Sequence, residues 1–102
     1  MEYAGFHREV AKKAFLNSPE ETEMAIKAVL RALSELLACN ETAHLQLLLP
    51  SEISKYLLIP GKGQLFSADE FLQHIAHIER IPVSYAIHHA KAVLEALRNG
   101  YK

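Results

Sequence analysis

The chain has 102 residues, half of them hydrophobic and 23% charged, which fits one globular domain with a modest core and excludes a disordered chain. Eleven basic against twelve acidic side chains give a formal net charge of −1, which removes the broad electrostatic case for nucleic-acid binding. A single cysteine, Cys39, makes neither an internal disulfide nor a cysteine-based zinc site, and no apolar run approaches the roughly 18 residues of a membrane span. The first five residues lack the basic start and apolar core of a secretory signal, so the expectation is a cytoplasmic protein.

Residues 3 to 16 carry a helical period, with Tyr3, Phe6, Val10 and Ala14 on one stripe and Arg8, Glu9 and Lys12 outside it. Asn17 and Ser18 stop this helix and start the next: Ser18 suits the cap, Pro19 the first helical position, and Glu21 completes a capping-box spacing. The second helix is expected over 19 to 38. Its inner stripe is Ile26, Val29, Leu30, Leu33, Leu36 and Leu37, and Lys27, Arg31 and Glu35 lie outside. Asn40 is a good cap for a short third helix over 41 to 49, carrying the aliphatic cluster Leu45, Leu47, Leu48 and Leu49. Pro50 ends that helix, and Ser51 is placed to cap a further turn holding Ile53, Tyr56 and Leu57. The run 59–63 is the one clear loop. Ser67 with Glu70 forms another capping box, opening a helix with Phe71, Leu72, Ile75 and Ile78 inward. After Pro82 the last helix presents Ala86, Ile87, Ala90, Val93, Leu94 and Leu97 inward, and Asn99-Gly100 is a natural stop.

Two stretches of this chain nearly coincide. Lys27-Ala-Val-Leu-Arg-Ala-Leu33 recurs as Lys91-Ala-Val-Leu-Glu-Ala-Leu97, and upstream Phe6 with Val10-Ala11 is matched by Phe71 with Ile75-Ala76. The fold expected is all-α: a single domain in which two repeated antiparallel helical hairpins, over 3–38 and 67–99, are joined by short helices and a loop over 40–66. Ala28, Ala32, Ala86 and Ala90 are small enough for close helix contacts.

The doubled pattern Phe-x3-Val/Ile-Ala, a turn with proline, then Ala-Val-Leu-x-Ala-Leu resembles a family of small bacterial proteins, domain of unknown function 2267. The middle is similar too, with Leu49-Pro50 and then Phe66-Ser67-Ala68-Asp69-Glu70-Phe71 opening the second half. The resemblance spans roughly residues 3 to 98 and implies a bacterial, soluble, helical protein. It implies no activity, cofactor or site residue.

Histidine is the residue type most worth testing for chemistry. Of the six, His74 and His77 stand one helical turn apart, a spacing that can place two imidazoles on one metal, with Asp69, Glu70 and Glu79 the nearest carboxylates. The wheel sets His74 at the edge of the core, His77 well outside, and His89 on a flank. Gly61-Lys62-Gly63 lacks the spacing of a phosphate loop and reads as a turn. The serines at 18, 51 and 67 are accounted for as caps, and Glu20, Glu21 and Glu23 as an N-terminal dipole and solvent face. No held nucleophile with an oriented base remains, so no catalytic residue, no enzyme activity and no cofactor is expected. The surplus of aliphatics points instead to protein–protein contact or a homodimer, with Leu45, Leu48 and Leu57 as candidate interface residues. A metal- or small-ligand module on His74 and His77 is the alternative, and a nucleic-acid-associated hairpin a weaker one, since the outer faces mix acids with bases.

Overall fold

The computed structural model describes residues 3–36, 39–57 and 67–100, and within them it contains helices and no strand. In chain order these are α1 (Tyr3–Ala14), α2 (Pro19–Leu36), α3 (Cys39–Leu48), α4 (Ser51–Ser54), α5 (Ala68–Glu79) and α6 (Val83–Gly100). The architecture is an all-α bundle. Leu37, Ala38, the loop 59–63 with its Gly61-Lys62-Gly63, and Leu58, Leu65 and Phe66 lie outside the described residues.

Local chemistry places most of the boundaries. Ser18 Oγ accepts the Glu21 N–H at 3.1 Å, and Pro19 opens α2 where its missing N–H is no loss. Ser67 does the same for α5, accepting the Glu70 N–H at 3.2 Å while its hydroxyl donates to the Glu70 carboxylate at 3.3 Å. α1 ends two residues before its sequence period does, because Phe15 turns left-handed with φ 56°. The N–H of Leu16 then reaches back to the carbonyl of Ala11 at 2.9 Å, and that of Phe15 to Lys12 at 3.4 Å. α5 closes alike: Arg80 has φ 58°, and the Ile81 N–H donates to Ala76 at 3.0 Å. This is the left-handed helix stop, made here by two residues with Cβ atoms where glycine is the usual choice.

The core is built from Phe6, Val10 and Ala14 of α1, Ile26, Val29 and Leu30 of α2, Phe71 and Ile75 of α5, and Val93 and Leu97 of α6. Ala28, Ala32, Ala86 and Ala90 are buried as expected, and Ala92 and Ala96 join them. Helices with such small side chains at the contact approach closely. The hairpins are interleaved. α1 makes its most extensive contact with α6, not with α2, and α5 packs on both α6 and α2, while α2 and α6 also touch. Lys13 of α1 bridges to Glu95 of α6 at 3.2 Å. Leu49, Ile53 and Leu57 of the connector enter the same core.

Several sequence expectations need correction. α3 begins at Cys39, so Asn40 lies inside it and is not its cap. α4 is preceded by Pro50, which offers no side-chain cap, and Ser51 is its first helical residue. Ile87 and Leu94, expected inward, stand 46% and 39% exposed. Glu35, expected outside, is buried, and its Oε2 meets no hydrogen-bond donor among the described residues. Within the aliphatic cluster of α3, Leu47 and Leu48 face solvent.

Candidate functional site

Glu23 is the polar hub of the first half. The hydroxyl of Tyr3, from α1, donates to its Oε2, and the hydroxyl of Tyr56, just beyond α4, donates to its Oε1. His7 Nε2 lies 3.8 Å from Oε2, and the His7 ring stands edge-on to Tyr3 at 5.7 Å between centroids. Lys55 Nζ sits over the Tyr56 ring, 5.4 Å from its centre. One carboxylate therefore ties together α1, α2 and the connector. Its partial burial works against the charge, but the two phenol hydroxyls, aided by His7 and Lys55, outweigh that and hold the carboxyl below its ordinary value. Burial and the same carboxylate push the Tyr56 hydroxyl up to about 12, and that of Tyr3 higher still. A carboxylate so held is a poor general base near neutral pH.

An open cleft of about 510 Å³ lies against this hub, lined by Tyr3, His7, Tyr56, Met24, Lys27 and the two glutamates Glu20 and Glu23. A second cleft of about 570 Å³ continues from it past Tyr3, His7 and Pro19 toward Ala4, Ala11 and Leu16, with Arg8 also on its lining. Sequence reasoning missed this hub and left Glu23 in the solvent face. Its partners lie 20 and 33 residues away, and the only signal was two tyrosines at positions otherwise reading as core.

The second half has a different polar feature. His89 Nδ1–H donates to both oxygens of Glu79 at 2.9 Å, with side chains only 11% and 4% exposed. A carboxylate holding a histidine in one orientation is also how general bases are built. The cleft beside it, about 350 Å³ between the α1–α2 and α5–α6 turns, is lined by Leu16, Met24, Ile81, Glu20 and Glu21. That lining holds no hydroxyl or thiol nucleophile. The pair reads as a buried clasp across the α5–α6 turn.

The candidate metal residues stay apart from it. His74 is half-buried and His77 exposed on successive turns of α5, and among the described residues no group of three or more His, Cys, Asp or Glu side chains is arranged to hold a metal. Of the candidate interface residues, Leu57 is buried in the core, Leu45 packs against the core, and Leu48 is 47% exposed. No described helix is long and apolar enough to cross a membrane.

A further apolar surface lies on α6. Val83, Ile87 and Leu94 are 41%, 46% and 39% exposed and share one helical stripe, with Lys91 and Arg98 exposed beside it. A family model described as an uncharacterized conserved protein (DUF2267) matches residues 3–101, so the chain belongs to that family. No curated protein and no solved structure matches the chain.

Proposed function

We propose that this member of the family is a non-enzymatic helical interaction domain of the bacterial cytoplasm that associates with a second copy of itself through the outward face of α6. The observation that carries the reading is the open stripe Val83, Ile87 and Leu94. In α2 the position that matches Leu94 is Leu30, which is fully buried, and the position that matches Ile87 is Glu23, which is engaged by Tyr3 and Tyr56. At these two positions α2 is thus engaged where α6 is bare. Pairing the stripe with its own copy across a two-fold axis sets apolar surface against apolar surface. Leu48 is a second exposed aliphatic, whereas Leu57 and Leu45 are engaged with the core. We read the two hairpins as copies of one ancestral unit. The shared heptad and the matching left-handed stops at Phe15 and Arg80 support that reading.

Solution mass measured across a concentration series tests the association. Wild type is expected to rise from monomer to dimer, and Ile87→Glu to shift that rise to at least roughly tenfold higher concentration, because it places a charge in the apolar seam. A monomer at every concentration, or an unchanged mass curve for Ile87→Glu, would sink the proposal. The alternative, a metal or small-ligand module on His74 and His77, has less support because no third ligand stands with them among the described residues. Zinc titration of wild type against His74→Ala/His77→Ala addresses it, and equal stoichiometry and affinity would end it.

A further inference from the structure

We infer that the cleft between the α1–α2 and α5–α6 turns binds a small neutral alcohol or phenol, its hydroxyl at Nε2 of His89 and its apolar body against Leu16, Met24 and Ile81. The buried pair beside this cleft is not required to close a hairpin of this kind. At the equivalent positions the first half carries Ala14 and Ala25, both buried, and burying a carboxylate with an imidazole costs desolvation that two alanines avoid. His89 is 9% exposed and lines the cleft. Its Nδ1–H is taken up by both oxygens of Glu79 at 2.9 Å, which fixes the ring, and Nε2 meets no partner among the described residues.

The chemistry of the ring and of the walls selects the ligand. With Nδ1–H held by a carboxylate, Nε2 is the acceptor of a neutral imidazole and a second donor of a charged one. A hydroxyl answers both states, since it donates one hydrogen and accepts through two lone pairs. An anionic ligand is disfavoured, because Glu20, Glu21 and Glu79 line the cleft and, among the described residues, no lysine or arginine does. Leu16, Met24 and Ile81 supply aliphatic and thioether surface for the rest of the molecule, and the pliable Met24 side chain adapts to its outline. At about 350 Å³ the cleft stands at the small end of ligand sites, which limits the occupant to a single ring or a short chain.

Three probes with one ring in common test this. Phenol, anisole and sodium benzoate are titrated into the protein at matched ionic strength while the methyl resonances of Met24 and Ile81 and the ring resonances of His89 are followed by NMR. Phenol is expected to give saturable shifts at a midpoint roughly fivefold below that of anisole, which lacks the hydroxyl hydrogen, and benzoate to bind more weakly than either. The double variant Glu79→Ala/His89→Ala, which installs the alanines of the first half, is expected to bind phenol no better than anisole. Should that variant fail to fold, Met24→Ala, at a position 42% exposed, leaves the buried pair in place and is expected to weaken phenol several-fold. Equal midpoints for phenol and anisole in wild type, shifts that never saturate, tighter binding of benzoate, a preference for phenol that survives the double variant, or unchanged binding in Met24→Ala would each overturn the inference and leave Glu79 and His89 as a clasp alone.

Discussion

α2 and α6 carry the same residues at six of seven positions, Lys27 to Leu33 against Lys91 to Leu97, yet one is closed on a face that the other opens to solvent. Leu30 is fully buried and Leu94 is 39% exposed. The polar fittings differ as well. Where the second half buries the pair Glu79–His89, the matching positions of the first half hold Ala14 and Ala25, both buried. Where the first half sets Glu23 between two tyrosines, the second presents Ile87 to solvent. A heptad shared at six of seven positions therefore does not determine what it buries. That depends on what tertiary packing brings against it: the hydroxyls of Tyr3 and Tyr56 reach Glu23, and solvent reaches Ile87.

The widest gap between the halves is expected at the two leucines. Leu30→Ala should lower stability by about 2–5 kcal/mol, the range for deleting a fully buried leucine, whereas Leu94→Ala should cost less than about 1 kcal/mol. Chemical denaturation of the two variants measures this, and equal losses would erase the contrast between the faces. Next comes the buried pair. A double-mutant cycle on Glu79→Ala and His89→Ala should return a coupling of about 2 kcal/mol, since each single change strands a buried polar partner. A coupling near zero would mean that the second half owes nothing to its clasp.

The Glu23 clasp should contribute less and depend on pH. Tyr56→Phe is expected to cost about 1 kcal/mol at neutral pH through one lost hydrogen bond. Because the folded carboxyl of Glu23 titrates below its unfolded value, its contribution is present above the ordinary carboxylate range near about 4.3 and is lost as pH falls through the depressed value. The Tyr56 hydroxyl is pushed the other way. Its contribution is present below the ordinary tyrosine value of about 10 and is lost as pH rises through about 12. Stability profiles should thus lose acid sensitivity in Glu23→Gln and alkaline sensitivity in Tyr56→Phe, and unchanged profiles would separate the clasp from folding. The smallest effect is one the halves should share. Phe15→Gly and Arg80→Gly should each raise stability by roughly 0.5–1 kcal/mol, by relieving a left-handed residue with a Cβ. A loss at Phe15, which is 87% exposed, would show that its ring makes a contact worth more than the strain.

Much of the fold was legible because helices announce themselves through spacing and caps. Ser18, Pro19 and Ser67 mark their starts, and the stripe Phe6, Val10, Ala14 turns inward as its period requires. The failures share one cause. Ile87 and Leu94 lie on a stripe that is apolar by composition, and composition cannot say whether a second layer covers it. Glu23 and Glu79 look like surface acids until Tyr3, Tyr56 and His89 are brought to them by tertiary packing. Leu57 resembled a spare aliphatic in a connector, and only its depth in the core reveals that it is engaged.

The partnership of α1 with α6 bears on how the chain is made. Lys13 and Glu95 meet across 82 residues, so α1 is made well before α6, the helix it contacts most. Contacts so distant in sequence raise the contact order above that of a bundle built from local hairpins and slow its closure. Until α6 is made, the stripe Phe6, Val10 and Ala14 lacks its main neighbour, which leaves nascent α1 open to chaperones and proteases during synthesis.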